Sequence, residues 1–88
     1  MEFSTLDRVP LHAPHEVALV DAPAHAPDWA ERLGDIGFLP GEQVIVTARG
    51  AIGGDPLVVR VGLSSFALRL AEAACVQVRP LAVPAAST

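Results

Sequence analysis

Leu33-Gly34-Asp35-Ile36-Gly37-Phe38-Leu39-Pro40-Gly41, running into Val44-Ile45-Val46, is the stretch on which the fold turns. It holds the end of a helix, a corner and the start of a strand. Gly37 is the natural left-handed residue to close a helix. Pro40 sets φ at a turn corner, and Gly41 suits a position of positive φ. The three β-branched residues that follow favour extended chain.

Working back from Gly37, the pattern is helical. Pro27 suits the first helical position, where its missing N–H costs nothing. Asp28 and Glu31 favour the positive end of the helix dipole, and Asp28 and Arg32 are spaced to pair. Trp29, Leu33 and Ile36 form one apolar stripe. Gly34 weakens the interior by ~1 kcal/mol relative to alanine, so a close packing contact is expected there. Farther back, Pro10, Pro14, Pro23 and Pro27 interrupt the chain. Between them only His15 to Asp21 reads as a strand, with Val17 and Leu19 on one face and Ala18 and Val20 on the other.

Working forward, the chain is strand and turn. The strand from Val44 reaches about Arg49, and Gly50 to Asp55 is a glycine-rich hairpin loop. Pro56 to Val61 alternates, with Leu57, Val59 and Val61 on one face and Val58 and Arg60 on the other. Gly62 to Ser64 turns again, and Phe66 and Leu68 face inward on the next strand. Ala71 to Ala74 reads as one helical turn. Val76 and Val78 alternate inward on a last strand that ends before Pro80. Ala67 and Ala73 are small enough to sit where neighbouring elements approach closely.

The sum is a mostly β fold of five short strands, with one helix between the first and second and a short helical turn before the last. Closely spaced short strands predict a small barrel, because closure removes exposed sheet edges. Residues 1–15 read as an irregular N-terminal arm, 16–79 as the domain and 80–88 as a flexible tail. Met1-Glu2-Phe3-Ser4 shows no pattern, and an appended remnant stays open there.

Composition narrows the function. Eighty-eight residues make one domain, 51% apolar and 18% charged, which is globular usage. Ten acids face six bases, all arginine, for a net charge of −4. Nucleic-acid binding rests on clustered positive charge, so that class is disfavoured. Cys75 stands alone and excludes an internal disulfide. No stretch approaches the ~20 apolar residues of a membrane helix, and no signal peptide is evident. A cytoplasmic location without membrane insertion is the expectation.

The ordered set of motifs resembles the FeoA family, the small cytosolic proteins of bacterial ferrous iron transport. The family pattern is a helix ending in leucine-x-x-x-glycine-hydrophobic-x-proline-glycine, matched from Leu33 to Gly41. A valine-rich strand follows, then a glycine-aspartate-proline-hydrophobic loop, matched by Gly54-Asp55-Pro56-Leu57. Phe66-Ala67-Leu68-Arg69, Glu72-Ala73 and Val76-Gln77-Val78 complete the order. The resemblance covers about half the chain, from Leu33 to Val78, and departs from the pattern in the proline- and histidine-rich N-terminal segment. It implies an SH3-like barrel that acts with FeoB, the permease with a cytosolic GTP-binding domain. A similar barrel ends some metal-dependent repressors, but this chain has no room for their helix-turn-helix. The partner surfaces expected are the helix end and turn, Phe38, Leu39, Pro40 and Gly41, with the loop residues Gly54 and Asp55. A homodimer is a further expectation.

The chemistry-bearing residues are few. His12 and His15 are three apart, Glu16 adjoins one, and His25 lies ten farther on. Imidazole with carboxylate suits zinc or ferrous iron. The bland reading, solvated histidines on a loose arm, stands beside weak metal binding, and any site could be shared between two molecules. No cofactor is required. Cys75 reads as a small surface or half-buried residue, since no base neighbours it. Ser64 and Ser65 lack a nucleophile elbow, and Gly53-Gly54-Asp55 lacks a phosphate-binding lysine. An enzyme is not indicated. Arg49, Arg60 and Arg69 read as solvated or paired with Asp55 or Glu72. Tyrosine is absent and Trp29 lies on the helix stripe, so the aromatic groove of proline-rich peptide binders is missing. Ile45, Val58 and Leu63 are predicted to face outward; as one patch they would mark a partner or dimer surface.

Overall fold

The computed structural model describes residues 3–81. The elements are β1 (Ser4–Thr5), a 3-10 turn (Leu6–Arg8), β2 (His15–Val20), α1 (Asp28–Ile36), β3 (Gln43–Gly50), β4 (Gly54–Val61), β5 (Ser64–Leu68), α2 (Leu70–Ala73) and β6 (Val76–Pro80). The strands form one antiparallel sheet in the order β1-β6-β2-β3-β4-β5. The outermost strands, β1 and β5, do not pair. The expected closed barrel of five strands is therefore an unclosed sheet of six.

The deciding stretch folds as its residues require. Phe38 N–H donates to the Leu33 carbonyl at 3.0 Å and Gly37 N–H to the Gly34 carbonyl at 3.1 Å. This is the Schellman closure, with Gly37 at φ 130°. Leu33 and Phe38, which flank it, are both buried. The Leu39–Glu42 turn closes with Glu42 N–H on the Leu39 carbonyl, and Gly41 has the φ of 92° that a type II corner needs. Gly41 N–H then donates to Val17 and Val17 N–H to Glu42, which ties the corner to β2. Pro27 caps α1 from just outside the helix rather than filling its first position.

The N-terminal arm is a correction. Residues 4–9 belong to the fold: Ser4 and Thr5 pair with Val78 and Gln77, and Leu6 and Val9 are core residues. Two apolar residues set among polar ones show no period, so only the pairing reveals them. Arg49 is the second reason the arm docks. Its guanidinium donates to the carbonyls of Asp7, at 3.0 Å, and Val9, instead of lying in solvent or pairing with Asp55 or Glu72.

Strand β2 is another correction. A bulge between Val17 and Leu19 shifts its register on β6, so that Leu19 faces Gln77 and Val20 faces Val76. The bulge breaks the alternation. Val17 stays buried, Val20 packs on the core and Leu19 is 44% exposed. Gly34 also differs from expectation. A Cβ there would meet Leu39 Cδ2 at 3.6 Å, an ordinary contact, so nothing demands glycine. Gly50 is the glycine that packing does demand, since a Cβ there would lie 2.2 Å from the Asp55 carbonyl oxygen.

The core joins Leu6, Val9, Val17, Leu33 and Phe38 to the inward residues of β3, β4, β5 and β6. Ala73 is fully buried, as a close approach predicts, but Ala67 is exposed on β5. Cys75 is buried too, with its thiol 3.4 Å from the Ala71 carbonyl. Burial raises its pKa, and Asp21 and Glu72 add to the rise. Among the described residues, no helix is long and apolar enough to cross a membrane.

Candidate functional site

The structure splits the residues expected to meet a partner. Leu39, Pro40 and Gly41 form the corner between α1 and β3. Gly54 and Asp55 open β4, whose other end reaches Val61. A Cβ on Gly37 would touch the Val61 side chain at 3.7 Å, so the end of α1 sits over that far end of β4. Eight strand residues rise about 25 Å, which puts the two halves of the expected surface at opposite ends of the sheet. Phe38 leaves the set altogether. It is 1% exposed, because the Schellman closure turns it onto Leu33 and into the core. Asp55 is engaged in the fold, where its Oδ1 accepts from Leu70 N–H at 3.1 Å and fastens the hairpin to α2.

One end of the sheet retains the features of a docking surface. Leu39 is 50% exposed and Leu63, at the β4–β5 turn, is 95% exposed. Glu42, Gln43, Ile45, Arg60 and Gly62 line a shallow groove of about 190 Å³ at the same end. Apolar side chains beside one acid and one base suit a protein partner, which needs an apolar centre and a polar rim. Ile45 and Val58, expected outward, are half-buried on the outer face of β3 and β4. A larger crevice of about 480 Å³ lies at the other edge of the sheet, between Phe3, Asp7, Arg8, Ala74 and Gln77.

The histidines are not brought together. His12 is exposed at φ 66°, with its N–H on the Val46 carbonyl at 2.8 Å. His15 is 7% exposed, and its Nδ1–H donates to the Ala13 carbonyl at 2.9 Å. His25 sits edge-on to Trp29, with ring centroids 6.1 Å apart. Glu16 pairs with Arg79 at 3.1 Å. Among the described residues, no three histidine, cysteine or acidic side chains converge to hold a metal ion. Spacing in sequence placed His12 and His15 side by side. Pairing of β2 draws one ring into the sheet and leaves the other on the turn.

A second carboxylate works differently from expectation. Glu72 accepts the Arg69 backbone N–H on Oε1 at 3.0 Å and pairs through Oε2 with Arg32. Arg32 thus ties α1 to α2 instead of meeting Asp28. No sequence spacing signals this, because the partners lie in different elements.

The fold is that of a small β domain of the SH3-like class, with an exposed apolar corner at one end of its sheet. The profile of the FeoA domain matches residues 5–80, and the chain belongs to the FeoA family, which is associated with ferrous iron transport. It is similar to Stenotrophomonas maltophilia FeoA, with 42% identity over 86% of this chain and 89% of that one and a TM-score of 0.78. That structure is described as a zinc complex of a prokaryotic SH3 domain protein and as a candidate activating factor of ferrous iron transport. Chlorobium tepidum FeoA is 29% identical over 90% of this chain and 71% of that one, with a TM-score of 0.74. A manganese-dependent transcriptional repressor shares the fold at 19% identity and a TM-score of 0.76, with 90% of this chain and 42% of that chain covered. None of the curated proteins matches.

Proposed function

We propose that the chain is a cytosolic accessory protein of ferrous iron uptake that docks on the cytosolic part of a FeoB-like permease and supports or regulates it by protein–protein contact. Membership of the FeoA family supplies the transport context. The observation that carries the docking reading is the exposed pair Leu39 and Leu63 beside the Glu42–Arg60 groove, at one end of the sheet. The reading needs neither a cofactor nor a catalytic group, and it involves neither nucleic acid nor membrane insertion. Two exposed leucines supply apolar area for a contact, and Arg60 is of a residue type enriched at interfaces. Anaerobic NMR titration of the labelled chain with the permease's GTP-binding domain tests it. Shifts clustered on residues 39–45 and 60–63 are the expected result, and Leu63→Ser weakens them. Shifts confined to the opposite end, around Gly54 and Asp55, or none at all, overturn this assignment of the surface.

The alternative is a transition-metal carrier or sensor, and its support is the zinc complex of the Stenotrophomonas maltophilia relative. In this chain His12 and His25 are exposed and His15 and Glu16 already have partners, so binding of iron(II) or zinc would be weak. Calorimetry with either metal on the His12→Ala, His15→Ala, His25→Ala triple variant decides. Unchanged affinity removes these ligands.

A further inference from the structure

The two edges of the sheet are guarded unequally. β1 is two residues long and passes at once into a 3-10 turn carrying Asp7 and Arg8. Short, charged edges discourage pairing with another chain. β5 runs five residues, Ser64-Ser65-Phe66-Ala67-Leu68, with no charge, no proline and no register shift on β4. It has none of the usual edge protections.

The register states which backbone groups are free. Gly62-Leu63 is a two-residue loop, so Val61 and Ser64 form the closing hydrogen-bonded pair. Bonded and non-bonded pairs then alternate. Ser64, Phe66 and Leu68 spend their N–H and C=O groups on β4. Those of Ser65 and Ala67 point away from the sheet, and both residues are exposed.

We propose that this edge is a homodimer surface, on which β5 of a second copy adds antiparallel with Phe66 at the centre. In that register Ser65 faces Ala67 of the second copy, so each bonded pair joins the groups that β4 leaves free. Phe66 faces Phe66 of the second copy in the closer, non-bonded type of pair, where aromatic side chains interact well. No like charges oppose each other along the segment. The two Arg60 side chains would stand three strand spacings apart, about 14 Å, beyond the Debye length of ~8 Å. The segment carries no charge and its register is self-complementary, which fits a second copy, while the net charge of −4 on each chain opposes association and keeps it weak. The area involved is small, so the dimer is a weak one, with a Kd between roughly 10 μM and 1 mM.

Sedimentation equilibrium of the full chain, with amide exchange at several concentrations, tests this. The wild type dimerises in that range, and protection of the Ser65 and Ala67 amides rises with concentration. Ser65→Lys with Ala67→Lys sets lysine opposite lysine and weakens the dimer about tenfold. Ser65→Glu with Ala67→Lys sets opposite charges face to face and keeps it. Both positions are exposed, so the monomer folds in each variant. A chain monomeric to about 1 mM overturns the proposal. So does equal association of all three proteins, or concentration-dependent protection anywhere other than β5.

Discussion

Arg49 is the residue whose replacement says most about how the fold is held. Arg49→Met keeps the apolar stem and removes the guanidinium that binds the Asp7 and Val9 carbonyls. A hydrogen bond from a charged donor contributes about 1.5–3 kcal/mol when shielded, and Arg49 is half-buried, so the pair is worth roughly 2–3 kcal/mol in total. The segment it fastens carries Leu6 and Val9, both in the core. Their burial contributes about 3–6 kcal/mol together. The larger quantity belongs to the core, so the arm stays docked in Arg49→Met while the whole domain loses stability. Urea unfolding followed by the single tryptophan, Trp29, measures the loss. With a slope of about 1 kcal/mol/M for a chain of this size, the midpoint falls by about 2 M. Arg49→Lys keeps the charge but not the fork, and recovers less than half of the difference. An Arg49→Met midpoint within about 0.5 M of the wild type refutes the reasoning, as does full recovery by lysine.

Gly34→Ala stabilises α1 by about 0.5–1 kcal/mol, because its Cβ meets only ordinary contacts; a loss of stability in urea would mean the Leu39 contact is tighter than it stands. Gly50→Ala acts the other way, and its Cβ clash with the Asp55 backbone lowers stability by more than about 2 kcal/mol or prevents folding, as far-ultraviolet circular dichroism would show. Cys75 holds its proton above the ordinary thiol range, chiefly through burial. The folded state binds that proton more tightly than the unfolded one, so its contribution is full below the unfolded-state pKa and is lost as pH rises toward the folded one. Thiol labelling of the native protein should therefore begin at higher pH than for the denatured chain, and the Cys75→Ala variant should lose less stability over that alkaline range.

What the sequence legibly carried was local. Gly37 closes a helix, Pro40-Gly41 turns a corner, and Leu57, Val59 and Val61 alternate inward, because each depends on the φ freedom of one residue or on a period of two. The candidate surface was legible in part: Leu39 and Leu63 stood out as exposed leucines in turns. The rest depends on residues far apart in the chain. That Ser4 pairs with Val78, that Arg49 reaches Asp7 and that Arg32 reaches Glu72 are matters of register and packing with no periodic trace. The bulge at Val17–Leu19 inverted an alternation that read cleanly, since one extra residue exchanges the two faces of a strand. Phe38 read as an exposed turn residue and became core because the closure of α1 folds it back. The tail at 82–88, expected to be flexible, lies outside the described residues. Residue types and turn chemistry alone determined a small, mostly β domain, and the order of its motifs carried the resemblance to the FeoA family. Only the tertiary structure decided that its sheet stays open, that its histidines stay apart and that its loops lie at opposite ends. Those outcomes follow from which strands become neighbours, and pairing between distant segments is set by the packing of the whole chain.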